Sequence, residues 1–162
     1  HGHNVMACEW THHVSYSPGL IAVCVGKGKA TLENIEGSKE FGVNIASKEL
    51  SSFASTAGGS SGRSTNKIEA LKKLGYKFYK AKNIDVYMVE GAVLNVECKL
   101  HKTIELGDHV MFVGEVLDAK LNKDKEPFAY HKGKYWKLNE TLPKPSDEEK
   151  AKIKSVVDSF RK

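Results

Sequence analysis

The sequence predicts a mainly β fold, in which extended segments dominate and a few short helices occupy the connections. Apolar runs of strand length recur along the chain, their spacing is irregular, and no strand–helix–strand rhythm repeats. A closed or half-closed antiparallel barrel is the architecture that suits this pattern. No internal repeat or separable second domain is visible, so we expect one domain over residues 1–145 and a C-terminal helix over residues 146–162.

The N-terminal part of the chain alternates between strand and helix patterns. Residues 19–25 form a continuous apolar run that follows a proline and ends at a Gly-Lys-Gly turn, which predicts a buried strand. Residues 31–38 have helical spacing of apolar side chains, and Thr31 is the candidate N-cap. The alternation of apolar and other residues over positions 41–45 predicts a second strand.

Two short helices are predicted in the middle of the chain, over residues 48–57 and 67–74. Between them, the stretch G-G-S-S-G-R-S over residues 58–64 has the composition of a loop. A glycine stops the second helix, and short extended pieces are expected over residues 76–79 and 86–89.

Three strong strand patterns and one helix pattern complete the chain. The strands are predicted over residues 91–100, 109–116 and 128–136, the last of which contains a Lys-Gly-Lys turn. From Ser146 onward the pattern is helical, with acidic residues in the first turn. We expect this helix to pack on the barrel or on a partner subunit through its apolar residues, which are Ile153, Val156, Val157 and Phe160.

The composition is that of an ordinary globular protein, with 162 residues of which 40% are hydrophobic and 28% charged. No apolar run approaches the roughly 20 residues that a membrane-spanning helix needs, so we expect no membrane association. The formal net charge of +5 arises from lysines scattered along the chain. Because no dense basic block is interleaved with aromatic residues, we expect no nucleic-acid partner.

The cysteines indicate a reducing, cytoplasmic compartment. Cys8, Cys24 and Cys98 are odd in number and form no C-x-x-C motif, so neither a disulfide framework nor a zinc ribbon is indicated. No signal-peptide pattern is visible. The sequence begins with a His-Gly-His run and no methionine, so either an upstream segment was processed or the sequence omits it.

Residues 4–18 are the first segment with chemical content. The stretch N-V-M-A-C-E-W-T-H-H-V-S-Y-S-P combines small residues, one tryptophan and two adjacent histidines ahead of the buried strand. A flat aromatic cofactor needs close backbone approach, which Ala7 and Cys8 allow, and backbone N–H groups there can donate to polar ring atoms. An ordinary strand edge followed by a turn is the alternative interpretation.

Five motifs in order resemble the flavin reductase-like, FMN-binding split-barrel family, and they span about residues 4–138. The first is N-V-M-A-C-E-W-T-H-H-V-S-Y-S-P-G-L-I-A-V. It is followed by K-A-T-L-E-N-I with E-F-G-V-N-I, then by N-V-E-C-K-L. The last two are G-D-H-V-M-F-V-G-E-V, which is similar to the family's most specific stretch, and A-Y-H-K-G-K-Y-W-K-L.

This resemblance implies a six-stranded antiparallel Greek-key barrel that forms a homodimer. It implies bound FMN, with FAD as the other option, at the subunit boundary. The activity it implies is that of an NAD(P)H:flavin oxidoreductase, which transfers hydride from NADH or NADPH to the flavin. Reduced flavin would then serve a monooxygenase, an electron carrier or an iron acceptor. The alternative is a flavoredoxin-like electron-transfer protein that holds FMN permanently.

The resemblance also assigns site residues. Along the flavin ring and ribityl chain it assigns Ala7, Cys8, Glu9, Trp10 and Thr11. The turn that reaches the phosphate contains Lys29 and Thr31, and the strand end beside the ring contains Asn44, Ile45 and Ala46. The candidate catalytic residue near the reactive face is His109. The family commonly has serine or threonine at the positions of Cys8, Glu9, His12 and His13, which leaves the redox role open.

Elementary chemistry supports the phosphate assignment. A dianion needs several donors, and Lys29 supplies charge while Thr31 supplies a hydroxyl group near a helix start. The glycine-containing loop S-S-G-R-S-T-N-K permits nest-like backbone geometry but lacks the spacing of a nucleotide P-loop. A flexible surface loop is the alternative interpretation. From this loop we select Ser61, Gly62, Arg63 and Lys67 as cofactor-binding candidates.

The histidines admit several interpretations. His109 begins a predicted strand after a Gly-Asp turn, so it either contacts nicotinamide, donates a proton near the flavin, or pins the turn through Asp108. The remaining N-terminal histidines suggest a metal site, but no pair has the i, i+4 spacing of a helical zinc site, and adjacent histidines point to opposite faces of a strand. We therefore predict no metal site at His1, His3, His12 and His13.

Overall fold

A computed structural model of the chain describes residues 2–138 and 140–161. Within these ranges the strands are β1 (Thr11–Tyr16), β2 (Gly19–Gly26), β3 (Glu40–Ile45), β4 (Phe78–Lys80), β5 (Tyr87–Val89), β6 (Leu94–Leu106), β7 (His109–Leu121), β8 (Phe128–His131) and β9 (Lys134–Lys137). The helices are α1 (Ala30–Ser38), α2 (Ser51–Gly58), α3 (Lys67–Lys73) and α4 (Asp147–Ser159), with a 3-10 turn over Lys48–Leu50. The prediction of a mainly β chain with short helices is confirmed.

The main sheet has five antiparallel strands in the order β1-β2-β7-β6-β3. The six-stranded barrel implied by the resemblance is not confirmed in the described part of the chain. The short segments β4 and β5 pair with each other, and so do β8 and β9. These strands are only three or four residues long, and each lies next in sequence to its partner, so the local pairing has the lower loop-closure cost.

Strand β2 contributes a row of apolar side chains to the principal core. It lies between β1 and β7, and alternate residues Ile21, Val23 and Val25 are buried on one face. This face packs with Phe112 of β7 and with Leu32 of α1. A second cluster lies between α2, α3 and β5 and joins the helical connections to the sheet, and its buried residues are Leu50, Phe53, Ala57, Leu71, Val89 and Ala92.

The beginning of α1 differs from the sequence prediction. The helix begins at Ala30, its N-cap is Lys29, and no side chain caps it. Thr31 is therefore inside the first turn, and the prediction that it is the N-cap is wrong. Its hydroxyl instead accepts a hydrogen bond of 3.0 Å from the side-chain amide of Asn4. This bond ties the N-terminal segment to the start of α1.

The long hairpin β6–β7 brings the G-D-H motif to the edge of the core. Both strands have 13 residues, and the turn between them places Gly107 at φ +48°, a conformation that favours glycine. His109 is the first residue of β7 and pairs in register with Gly26, the last residue of β2. The turn therefore places His109 beside the end of β2, just before α1 begins.

The C-terminal helix α4 has a capped N-terminus and no buried residue. Ser146 and Glu149 form a capping box, in which each side chain accepts from the other residue's backbone N–H. No residue of α4 is buried, and its packing on a partner subunit stays a prediction. Its exposed apolar residues are Ile153, Val156, Val157 and Phe160. Within the described ranges, no helix has the length and apolar character to span a membrane.

Candidate functional site

Three elements meet at one end of the main sheet. Strand β2 ends at Gly26, strand β7 begins at His109, and α1 follows the turn that contains Lys29. A Cβ atom on Gly26 would lie 3.6 Å from His109 Nε2 and 3.8 Å from the Lys29 side chain. His109 and Lys29 therefore flank Gly26, where the missing side chain leaves the backbone accessible.

Trp10 lies against His109. The two ring centroids are 4.5 Å apart at an interplanar angle of 43°. The carbonyl of Trp10 accepts a 2.9 Å hydrogen bond from the backbone N–H of Cys24, which fixes the segment that precedes β1 beside β2. The Trp10 side chain is 56% exposed, so this aromatic pair forms an accessible wall.

The His109 ring is oriented by its neighbour Asp108. Nδ1 of His109 lies 2.8 Å from Oδ1 of Asp108, and this hydrogen bond lowers the pKa of the Asp108 carboxyl group. An ionised carboxylate can only accept, so Nδ1 carries the proton. Nε2 is the nitrogen that remains on the side of Gly26. The turn-pinning role that we considered for His109 is present, and it leaves one ring nitrogen for a ligand.

Lys67 is a buried cation near Lys29. Its Nζ donates to the carbonyl of Ala57 at 2.9 Å and to the carbonyl of Ser60 at 3.2 Å. Burial lowers the pKa of Lys67, and the charge on Lys29 lowers it further. Among the residues that the structure describes, no carboxylate forms a salt bridge with Lys67. Two ammonium groups thus lie near each other without an anion at Lys67.

The loop after α2 closes against the N-terminal segment and α1. A Cβ atom on Gly62 would lie 2.5 Å from Oδ1 of Asn4, so any other residue would displace the Asn4 side chain. Asn4 in turn donates to Thr31. Arg63 forms an ion pair with Glu33 of α1. The loop that we predicted to bind phosphate is therefore anchored beside the first turn of α1.

The remaining candidates of the first motif lie just before β1 and at its first residue. Ala7 lies close to α2, since a Cβ atom on Gly58 would come within 3.2 Å of the Ala7 methyl group. The Cys8 thiol donates to the carbonyls of Trp10 at 3.6 Å and Cys24 at 3.5 Å. The Glu9 side chain is exposed. Thr11 is the first residue of β1 and is half-buried.

The candidates on β3 have other contacts. The amide oxygen of Asn44 accepts from the backbone N–H of Val89 at 3.0 Å and from Asn95 Nδ2 at 2.6 Å. These bonds join β3 to β5 and β6, and a flavin contact by Asn44 stays a prediction. Ile45 is exposed at the strand end, and Ala46 packs on the second hydrophobic cluster.

Two residues of the candidate site, Asn4 and Gly26, were not among the site residues predicted from the sequence. Asn4 opens the first motif, but its partners Thr31 and Gly62 are distant in sequence, so only the folded chain reveals them. Gly26 was visible as a turn residue, and its role depends on the register that places it opposite His109.

Ser61, a predicted cofactor-binding residue, is exposed, and its hydroxyl accepts from the backbone N–H of Arg63 at 3.2 Å.

A metal site finds no support in the described ranges, which contain no group of three or more potential ligands from His, Cys, Asp and Glu. His3, His12 and His13 are included in that search, whereas His1 lies outside the described residues. The arrangement that remains is an accessible aromatic wall beside a cluster of cations.

Comparison with known proteins identifies relatives of the chain. Residues 1–139 match the family model described as flavin reductase like domain. An uncharacterized protein from Archaeoglobus fulgidus is 36% identical over 114 residues, which are 70% of this chain and 63% of that protein. A ferric-chelate reductase (NAD(P)H) from the same organism is 32% identical over 113 residues, 70% of this chain and 64% of the relative.

Among solved structures, flavoredoxin of Desulfovibrio vulgaris (Miyazaki F) superposes with a TM-score of 0.76 and 26% sequence identity. The match covers 89% of this chain and 83% of the flavoredoxin chain. The chain spans slightly less than two thirds of the length of the two Archaeoglobus relatives.

Proposed function

The chain belongs to the flavin reductase like domain family, and on that premise we propose that it binds a flavin and reduces it with NADH or NADPH. FMN is the proposed flavin, with FAD as the other option, because cations suited to a phosphate group lie close to an aromatic wall suited to a ring. The ferric-chelate reductase relative, whose name includes NAD(P)H, supports the same reaction class.

The observation that carries the proposal is the buried ammonium group of Lys67. A buried cation without a carboxylate partner is costly, and the charge of Lys29 increases this cost. A phosphate dianion bound between these lysines and the first turn of α1 would remove the cost. The hydroxyl of Thr31 and the backbone of the adjacent loop at Gly62 offer further hydrogen-bonding groups close by.

The aromatic wall suits a flat ring. Gly26 exposes its backbone between His109 and Lys29, and Trp10 extends the wall beside the His109 ring. A bound flavin supplies the centre that accepts hydride, and the protein supplies binding, orientation and control of protons. Asp108 holds the Nδ1 proton of His109, so Nε2 is the nitrogen that would exchange a proton with a ligand.

The experiment is a titration of the purified protein with FMN, followed by an assay of NADH and NADPH oxidation. We expect FMN fluorescence to change with a stoichiometry of one flavin per chain, and at least one nicotinamide to be oxidised only when FMN is present. A folded protein that binds neither FMN nor FAD would contradict the proposal.

A second candidate is an electron-transfer protein that holds its flavin permanently. The observation in its favour is the contact between Trp10 and His109, because Trp10 occupies space beside the histidine that nicotinamide would need. Flavoredoxin, one of the similar structures, has a name that fits this role. Tight flavin binding with no oxidation of NADH or NADPH would favour this candidate over the reductase.

We also propose a homodimer with the flavin at the subunit boundary. Apolar side chains that the described chain leaves exposed support this: Leu117 and Leu121 on β7, Tyr135 and Trp136 on β9, and the apolar face of α4. Light scattering should give twice the mass of one chain. A ferric chelate, a monooxygenase or an electron carrier is the proposed acceptor of the reduced flavin.

A further inference from the structure

A cavity of about 230 Å³ lies at the open end of the β6–β7 hairpin, between the ends of these two strands and β4. Asp118 in its wall follows His109 by nine positions of β7, which is about 30 Å of extended strand, so the cavity is separate from the proposed flavin site. It is smaller than the roughly 300–1,000 Å³ of sites for drug-sized ligands. The cavity therefore suits a ligand with few heavy atoms.

The register of the hairpin places four polar side chains on one face at this end. Glu97 pairs with Asp118, and Asn95, which precedes Glu97 on the same face, pairs with Lys120. Because side chains alternate along a strand, all four point to the same side, and all four line the cavity. The face therefore has two levels about 7 Å apart, one with two carboxylates and one with an amide and an ammonium group.

The two carboxylates stand directly opposite each other. Like charges in such positions destabilise a β-ladder. Glu97 accepts hydrogen bonds from neutral N–H groups, Asp118 accepts from the backbone N–H of the next residue, and no described side chain forms a salt bridge with either. Burial raises the pKa of Tyr79, and the charges of Glu97 and Asp118 raise it further. A positively charged group placed at Asp118 would offset this concentration of negative charge.

Asn95 adds an acceptor that the fold leaves unused. Only 7% of its surface is exposed, and its Nδ2 donates to Oδ1 of Asn44 at 2.6 Å and to the carbonyl of Val89 at 3.0 Å. Because a backbone carbonyl can only accept, these contacts fix which end of the amide is the nitrogen. Oδ1 has no hydrogen-bond partner among the residues that the structure describes, and Asn95 lines the cavity. This nearly buried acceptor is therefore available to a donor in the cavity.

The other level supplies cations. Nζ of Lys120 lies 5.5 Å from the centroid of the Tyr79 ring. Such a contact leaves N–H donors of the ammonium group available for an anion, and in the described part of the chain Lys120 has no carboxylate partner. Lys82 also lines the cavity and is exposed, whereas Lys80 is paired with Asp85. The cavity thus offers acceptors for a cation and donors for an anion about 7 Å apart.

We propose that this cavity binds a small zwitterion whose ammonium and carboxylate groups are joined by a short carbon chain, which is the chemistry of an ω-amino acid. The ammonium group donates to Asp118 and to Oδ1 of Asn95, and the carboxylate accepts from Lys120. The methylene groups lie along the ring of Tyr79. The proposal goes beyond the proposed function and does not depend on it, because none of these four residues belongs to the flavin site.

The first test is calorimetry of the purified full chain with 4-aminobutyrate and 5-aminopentanoate. We expect saturable binding of at least one of them, with one ligand per chain. Butylamine and butyrate each carry only one of the two charges, and each should bind about tenfold more weakly than the zwitterion, or weaker still. If neither zwitterion binds, or if butylamine binds as tightly as the zwitterion, the proposal is rejected.

Charge-neutralising variants assign the binding to the cavity. Asp118→Asn keeps the shape of the side chain and should weaken zwitterion binding about tenfold, whereas Asp124→Asn, at an exposed carboxylate outside the cavity, should leave it unchanged. Lys120→Gln should weaken binding about fivefold, with Lys123→Gln as its exposed control. Because Asp118 and Lys120 are themselves exposed, we expect the thermal unfolding of these variants to match that of wild type.

FMN titration of the same variants separates this proposal from the proposed function. We expect FMN affinity to be unchanged in Asp118→Asn and Lys120→Gln. Zwitterion binding that depends on both residues supports the cavity even if the wild-type protein binds no flavin. Equal zwitterion affinity in wild type and all four variants would place the binding elsewhere and overturn the proposal, and normal FMN binding in that case would leave the proposed function intact.

Discussion

Lys67 and Glu97 are both buried ionisable residues, with 4% and 6% of their surfaces exposed, and they lie in opposite kinds of surroundings. Glu97 accepts hydrogen bonds from the backbone N–H groups of Lys82 at 2.9 Å and Asn83 at 2.7 Å, and from the Asn83 amide at 3.1 Å. Lys67 donates to two neutral carbonyl groups and lies near a second cation, Lys29.

The pKa of each group lies below its ordinary value, but this shift favours the charged form of Glu97 and the neutral form of Lys67. Burial raises the pKa of Glu97, and the donors of Lys82 and Asn83 lower it more, so the folded chain stabilises the charged carboxylate. Burial and Lys29 both lower the pKa of Lys67, so the folded chain destabilises the charged ammonium. The charge of Glu97 is thus stabilised by donors within the fold, whereas the ammonium group of Lys67 has two neutral carbonyl acceptors and no anion among the described residues.

The largest expected effect is on the Glu97 side of the comparison. Glu97→Ala removes the acceptor for two backbone N–H groups and one amide, so we expect the free energy of unfolding to fall by about 3 kcal/mol. Urea denaturation measures this value. The matched control is Glu115→Ala on β7, which is exposed and should change stability by less than about 0.5 kcal/mol. If the two substitutions lowered the free energy of unfolding equally, the buried hydrogen bonds of Glu97 would contribute no more to stability than an exposed glutamate does.

Lys67→Met should weaken FMN binding and leave the stability of the protein intact, whereas Glu97→Ala should lower stability. The apolar side chain fills a similar volume without a buried charge, so we expect the stability of the flavin-free protein to be unchanged or higher. FMN affinity should fall about 100-fold, which corresponds to about 2.7 kcal/mol. Fluorescence titration and urea denaturation supply the two values. Lys73→Met on the exposed side of α3 is the control and should change neither. A large loss of stability with normal FMN affinity would make Lys67 a structural residue like Glu97.

The pH dependence of stability should also separate the two charges. The folded-state pKa of Glu97 lies below the unfolded value of 4.5, so its contribution is complete above that pH. As the pH falls through 4.5, the unfolded chain binds protons first, and the contribution is lost as the pH approaches the folded-state pKa. We expect the difference in unfolding free energy between wild type and Glu97→Gln to narrow below pH 4.5. A difference that stays constant down to the acid transition would show that ionisation of Glu97 contributes nothing.

The strands were predictable where one local pattern determined them. The apolar run over residues 19–25 became β2, and alternation over residues 41–45 became β3, because burial on one or both faces leaves a clear signal. The pairing order of the strands was harder to predict from the sequence. The pairings of β4 with β5 and β8 with β9 depend on short turns and on competition with the main sheet, which no local pattern encodes. Helix α1 begins at Ala30, one residue before the predicted range, and the hydroxyl of Thr31 has a tertiary partner that no local pattern encodes.

The candidate site divides in the same way. Lys29, Thr31, Lys67 and His109 were visible as residue types that bind anions or exchange protons, and the structure brings them to one end of the sheet. What the sequence could not show was the burial of Lys67 without an anion, since it depends on how the loop between α2 and α3 folds back to bring the carbonyl groups of Ala57 and Ser60 to its ammonium group. Asn44 illustrates the converse, because its side chain has the right chemistry for a ligand but bonds to β5 and β6.

The smallest expected effect tests whether Lys29 and Lys67 act on one anion. Lys29→Ala removes a like charge near Lys67, so the flavin-free protein should gain a few tenths of a kcal/mol, while FMN affinity falls about fivefold. Lys27→Ala in the same turn is the control, because Lys27 pairs with Glu105 at 3.4 Å and should affect FMN less. In the double variant of Lys29 and Lys67, losses in affinity should not add, because both lysines contact one phosphate. Strict additivity would mean that the two cations serve separate groups, and Lys67 would then need an anion other than the one that Lys29 binds.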